Sequence, residues 1–275
     1  MIVLTIQCLM FKLENCSLIV FTISCILIVL DDLNSFNLGN YLMILSLIWI
    51  YFSRKNEFKN YFFLGISFYM AHYADINTNL DIGNIVLLTS IFFFMVWVPA
   101  KFSSGLVTFN FQFRKWNKQQ VSWFLKTGFF ALVVLYFYFN NALTAEGLPI
   151  HRSWSIDGGT GLPLDSFDFG KSLILFGACM LLGCWDEIFF VNTVLAIFKK
   201  SNPFWLANFC QSLLFAAFLY ELAFHGWGPL MIMFFAIIQG NILKKTHDLV
   251  YVICLHLFAD TILFFYILNG HYSFF

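Results

Sequence analysis

Charge is what this sequence has least of. Aspartate, glutamate, lysine and arginine make up 11 % of its 275 residues, where a soluble domain carries about a quarter. With 60 % hydrophobic and 21 % aromatic residues, the chain cannot cover a water-facing surface. It also lacks a basic excess: 15 Lys and Arg balance 15 Asp and Glu, which argues against a nucleic-acid partner. It has no CxxC or CxxH pair. Its seven cysteines, Cys8, Cys16, Cys25, Cys179, Cys184, Cys210 and Cys254, read as free thiols in apolar surroundings, not as zinc ligands. There is no HExxH signature, no internal repeat and no low-complexity tract. The first apolar run is interrupted by Lys12, Glu14 and Asn15. No small-residue cleavage site follows it, so it is expected to be retained and not removed as a signal peptide.

What the chain has in abundance is long apolar runs. The reading is an all-α, polytopic transmembrane helical bundle of eight or nine spans. They fall near 14–30, 35–53, 60–74, 82–100, 121–140, 171–198, 203–224, 228–243 and 248–268. Basic clusters follow alternate spans: Arg54, Lys55 and Lys59; Lys101 to Lys118; Lys199-Lys200; Lys244-Lys245. The other connections hold Asp31-Asp32, Asp75 to Asp81, and 141–170 with only Arg152 in its interior. The positive-inside rule then places the N-terminus in the cytoplasm, with the protein in a plasma or inner membrane. Three parts are expected: N-terminal transmembrane helices over 1–140, an outer loop over 141–170 with Gly158, Gly159 and Pro163, and a core over 171–270. The aromatic and basic stretch 111–120 reads as an interfacial segment on the inner leaflet.

Two apolar segments carry ionisable groups that need a reason. An acidic side chain at a bilayer centre costs ~2.5–3.5 kcal/mol on insertion scales. Asp186 and Glu187 are adjacent within one span, and His256 and Asp260 sit four apart, on one face, in another. At ~1.5 Å rise per residue, Asp186 and Glu187 stand ~20 and ~18 Å above Lys199, and His256 and Asp260 ~16 and ~22 Å above Lys245. Matched depth is what a shared internal site requires. Adjacent helix residues point ~100° apart, so the two acids cannot act equivalently from one face. Two other readings use the same groups. One is a helix–helix clamp through protonated acids. The other is a metal or proton pathway, as in a small proton- or ion-coupled transporter.

The order of these residues resembles a known family, the CAAX protease and bacteriocin-processing family of intramembrane glutamic endopeptidases, which includes the type II CAAX prenyl endopeptidases. The likeness covers about 171–268. Asp186-Glu187 with Phe190 is similar to the acidic half of the family's E-E-x-x-x-R motif. His256-Leu-Phe-Ala-Asp260 is similar to its H-x-x-x-N or H-x-x-x-D motif. Gly240 and Thr246 to Leu249 are similar in kind to the stretch between them. Three positions depart: Val191 stands at the family's Arg, Asn192 at the Gly that commonly follows, and Leu219 where F-x-x-x-H, begun by Phe215, places a histidine. The nearest candidate for that histidine is His225, which reaches the site only if its helix breaks or re-enters near Glu221. Otherwise His225 belongs to an outer-interface turn, and Tyr220 or Glu221 takes part of the role.

The resemblance implies an endopeptidase with Asp186, Glu187, His225, His256 and Asp260 as catalytic residues and no cofactor or metal. Asp186 or Glu187 would take a proton from water, His256 would steady the oxyanion, and Asp260 would orient the imidazole. The implied substrate is a membrane-embedded, prenylated or leader-bearing peptide or protein within the lipid bilayer. The losses at Val191 and Leu219 keep open a catalytically weakened member serving as scaffold, immunity protein or maturation partner.

Overall fold

The computed structural model describes residues 2–30, 38–73, 82–103, 105–141 and 167–272, and they contain helices and no strand. The helices are α1 (Ile2–Val29), α2 (Leu38–Ser53), α3 (Phe58–Tyr73), α4 (Ile82–Phe102), α5 (Lys118–Asn141), α6 (Phe169–Asp186), α7 (Leu195–Phe198), α8 (Phe204–Leu222), α9 (Gly228–Thr246) and α10 (Leu249–Tyr272). A π-helical stretch, Glu187–Val194, joins α6 to α7 in one continuous rod, Phe169–Phe198. Among the described residues, four helices are both long and apolar enough to cross a membrane: Lys118–Asn140, Phe169–Phe198, Phe204–Leu222 and Leu249–Tyr272. Asn15–Val29, Leu38–Ser53 and Val86–Phe102 are apolar but shorter. The protein is a helical membrane bundle. The acidic connections at 31–32 and 75–81, and 142–166 of the expected outer loop, lie outside the described residues.

The first helix differs from the expected span. The polar residues Lys12, Glu14 and Asn15 do not end it, and it runs back to Ile2. Lys and Glu are good helix formers, so hydropathy changes there without breaking the backbone.

Much of the helix surface is apolar. Leu125, Phe129 and Phe130 of α5 and Ile44 and Leu45 of α2 are exposed, while Phe21, Phe68, Phe189, Phe190, Phe215 and Phe218 are buried. A helical protein can present such a surface only to lipid, because each helix satisfies its own backbone. α1 packs on α2 and α8, α3 on α4, and α8 on α9; α10 packs on both α5 and α6. Trp185 ties the N-terminal helices to this core: its ring stacks on Phe92 with centroids 4.4 Å apart, and its Nε1–H donates to the Phe92 carbonyl at 2.8 Å. On the lysine-bearing face, Arg54 is buried and donates to Ser201 Oγ and Asn202 Oδ1, both at 2.9 Å.

Local signals set the register of the elements that matter. Asn117 and Gln120 open α5 with a reciprocal capping box, at 2.8 and 2.9 Å. The interfacial stretch before it is extended and mostly exposed. Asp168 caps α6 by accepting the Lys171 N–H at 3.0 Å. α9 ends at His247, whose φ of 51° is left-handed. Asp248 then accepts the Tyr251 N–H at 3.0 Å, capping the start of α10. That tight turn fixes the phase at which His256 and Asp260 meet the rest of the bundle.

Candidate active site

His256 and Glu187 meet at the centre of the bundle. His256 Nδ1 lies 2.7 Å from Glu187 Oε1, and both side chains are buried. His256 Nε2 lies 3.5 Å from Asp260 Oδ1, one helical turn further along α10. The imidazole is therefore held between two carboxyl groups. An aromatic collar surrounds it, with Phe235 edge-on at 5.2 Å and Phe215 at 6.0 Å between centroids.

The π-helical stretch begins at Glu187 and leaves its signature in Thr193, whose hydroxyl donates five residues back to the Ile188 carbonyl at 2.8 Å. Widened turns of this kind concentrate at functional sites because they re-aim side chains. The two neighbouring acids here take different positions. Asp186 lines a cavity shared with His256 and Asp260, whereas Glu187, fully buried, is not among the residues lining it. Asp186 Oδ1 and Glu187 Oε2 close no hydrogen bond within the protein.

The cavity has a volume of about 90 Å³, enough for several waters by the usual measure. Apart from Asp186, His256 and Asp260, its wall is largely apolar, with Phe130, Val134, Met231 and Leu263 among the lining residues. Asp260 reaches it across a gap in α6: a Cβ on Gly183 would stand 2.0 Å from Asp260 Oδ2. The missing side chain is what lets the carboxyl lie against α6, one turn before Asp186. The described side chains do not gather three His, Cys, Asp or Glu residues into a metal-binding group.

Of the five residues proposed from sequence, four come together: Asp186, Glu187, His256 and Asp260. His225 does not join them. α8 ends at Leu222, and His225 is exposed in the turn before α9. Its ring lies 6.2 Å from that of Tyr220, centroid to centroid, and Tyr220 and Glu221 are exposed too. The physical reason is the way the turn is pinned. Gly226 takes a positive φ of 60°, and the Tyr138 hydroxyl of α5 donates to the His225 carbonyl at 2.8 Å. The break near Glu221 thus turns along the surface, and it is Phe224 that lines the cavity. Leu219, where the family pattern sets a histidine, lines the same cavity. Val191, at the family's arginine, is fully buried among Ile242, Tyr251, Val252 and Leu255. Asn192 donates instead to the Thr108 carbonyl at 3.2 Å.

Sequence reading missed two neighbours of the site. Gly183 carried a signal, being three residues before Asp186 and four before Glu187, at helical spacing from both. Gln239 of α9 interacts with the Glu187 carboxyl and is not among the residues lining the cavity; its only signal was a polar residue in an apolar run.

No curated protein and no solved structure matched the chain. A known family did match, over the segment that carries the site. Residues 168–262 match the family described as Rce1-like: Type II CAAX prenyl endopeptidase Rce1-like, so the segment that carries the site is similar to the CAAX proteases.

Proposed function

We propose that the protein is an intramembrane endopeptidase that hydrolyses a peptide bond near the end of a membrane-associated substrate, of the prenylated class that the family description names. The observation that carries this reading is the Glu187–His256–Asp260 ladder beside Asp186 on an apolar cavity. Asp186 serves as general base, because it faces the cavity with an uncommitted oxygen while Glu187 lies behind the imidazole. Water gives its proton to Asp186, and the oxygen attacks the carbonyl carbon. His256, backed at Nδ1 by Glu187 and oriented by Asp260, presents an Nε2–H to the carbonyl oxygen, where negative charge develops. The proton on Asp186 then passes to the leaving amine as the C–N bond breaks. One water is consumed, and one carboxylic acid and one amine appear. The lysine-bearing face lies in the cytoplasm, with the N-terminus on the same side.

The test is hydrolysis of a prenylated C-terminal reporter peptide by the purified protein in liposomes, run in 18O-labelled water. The expected product is a shortened prenyl peptide with one 18O in its new carboxyl group. Recovery of intact peptide only would reject the reading.

Leu219 and Val191 favour a second reading. Where the family pattern has an imidazole and a guanidinium, this chain has two aliphatic side chains, so the site has fewer groups to stabilise an oxyanion. On that reading the protein binds such substrates and cleaves them slowly or not at all. Reporter peptide that binds to the liposomes and stays intact would support it.

A further inference from the structure

Gln239 is 1 % exposed, and neither end of its amide closes a hydrogen bond within the protein. A buried polar group left unpaired costs about 1–3 kcal/mol, and native interiors rarely tolerate it. Across the helix interface, Glu187 has the same deficit. Its Oε1 engages His256, and its Oε2 closes no bond. α9 packs on the π-helical stretch that carries Glu187, and the Gln239 amide interacts with the Glu187 carboxyl without closing a direct hydrogen bond. Polar groups facing at more than ~3.5 Å in an interior are suited to one bridging water.

A helix clamp does not explain Gln239. The work of joining α8 to α9 falls to other amides. Asn208 Nδ2 donates to the Ile237 carbonyl at 2.9 Å, and Gln211 Nε2 donates to that of Ala236 at 3.3 Å. Gln239 makes no such bond, and its amide interacts with the carboxyl that holds the imidazole.

We propose that Gln239 is a positioning residue that acts through Glu187, holding Oε2 by a water-carried hydrogen bond so that Oε1 stays on His256 Nδ1. The proposal rests on the reading of Glu187 and His256 as part of the catalytic group, and it adds a fifth member from α9. Without the amide, either carboxyl oxygen can turn to the imidazole, and the ring loses its fixed orientation. Partners behind metal-ligating side chains are typically worth ~10–100-fold in affinity or activity, and a loss of the same order is expected here.

The experiment uses the full-length protein in liposomes with Gln239→Leu, Gln239→Met, Glu187→Gln and the double variant Glu187→Gln/Gln239→Leu. Two measurements are made at equal folded amounts. The first is the infrared carboxyl band of Glu187, assigned as the band lost in Glu187→Gln. The second is turnover of the prenylated reporter. The proposal expects the band to move in Gln239→Leu and Gln239→Met, kcat to fall about tenfold or more with KM unchanged, and the double variant to be no slower than Glu187→Gln alone. An unmoved band with wild-type kcat would overturn it, as would losses that multiply in the double variant. Should Gln239→Leu fail to fold, the unbranched Gln239→Met decides. Should the wild type not cleave the reporter, the catalytic reading fails separately, and the band alone decides whether Gln239 holds Glu187.

Discussion

A Cβ on Gly183 would meet Asp260 Oδ2 at 2.0 Å, so a methyl group there must push the carboxyl away from its place beside Asp186. The Gly183→Ala variant is expected to keep its fold, since alanine suits a helix, and to lose ~10²-fold or more of its activity, the lower range for a positioned acid–base group. Steady-state turnover measured beside a melting curve checks this: lost stability with normal turnover per folded molecule would place Asp260 outside the chemistry. At Asp260 itself, the resemblance allows either Asn or Asp. Asp260→Asn keeps a polar group 3.5 Å from His256 Nε2 and should retain measurable turnover, whereas Asp260→Leu should abolish it. Equal turnover in the two would dismiss the role of Asp260 in orienting the imidazole. His225 belongs to the same scale. It is exposed in a turn held by its own backbone carbonyl, so His225→Ala should leave reporter hydrolysis unchanged. A loss comparable to that of His256→Ala would return it to the catalytic set.

The elements that build the site are held by features of unequal legibility. Depth along a helix follows from a constant rise, so counting residues from Lys199 and Lys245 suffices to set Glu187 and His256 at one level; the structure has them 2.7 Å apart. Azimuth is harder. The π-helical register starting at Glu187 shifts every later side chain, and nothing in Glu187–Val194 announces it. The end of α8 was legible only as one of two readings, the outer-interface turn at His225. Leu222 to Phe224 continue the apolar run, yet the helix stops because Gly226 and the Tyr138 hydroxyl make a better turn there. Hydropathy alone could not tell Ile2–Val29 from a shorter span, because Lys12 and Glu14 change polarity without breaking a helix. The α8–α9 pair depends on a close approach that sequence does not show: a Cβ on Gly240 would stand 1.9 Å from Asn208 Oδ1. Gly240→Ala is therefore expected to destabilise the bundle by ~1–3 kcal/mol through overpacking. A melting temperature no lower than that of the wild type would show that Asn208 yields freely.

Across the whole molecule, the lysine-bearing end and the His225 turn lie at opposite ends of α8. If the positive clusters face the cytoplasm, a single cysteine at exposed Lys200 should react with an impermeant maleimide only from the cytoplasmic side, and one at His225 only from the other. These labels require a background without the native cysteines. Both sites labelling from the same side would refute the proposed topology. The Arg54 tie to Ser201 and Asn202 spans 147 and 148 residues of sequence, linking the N-terminal helices to the segment that carries the site. Its removal should lower stability without changing turnover per folded molecule.

The central claim is that Asp186, Glu187, His256 and Asp260 form a catalytic group and not a buried clamp between helices. The most direct measurement compares reporter hydrolysis by wild type, Asp186→Asn, Glu187→Gln and His256→Ala, each normalised to the folded, membrane-inserted protein. The account predicts that each variant folds and inserts, while its turnover falls by ~10²–10⁴-fold. Turnover per folded molecule equal to that of the wild type, with losses only in the amount of folded protein, would contradict it.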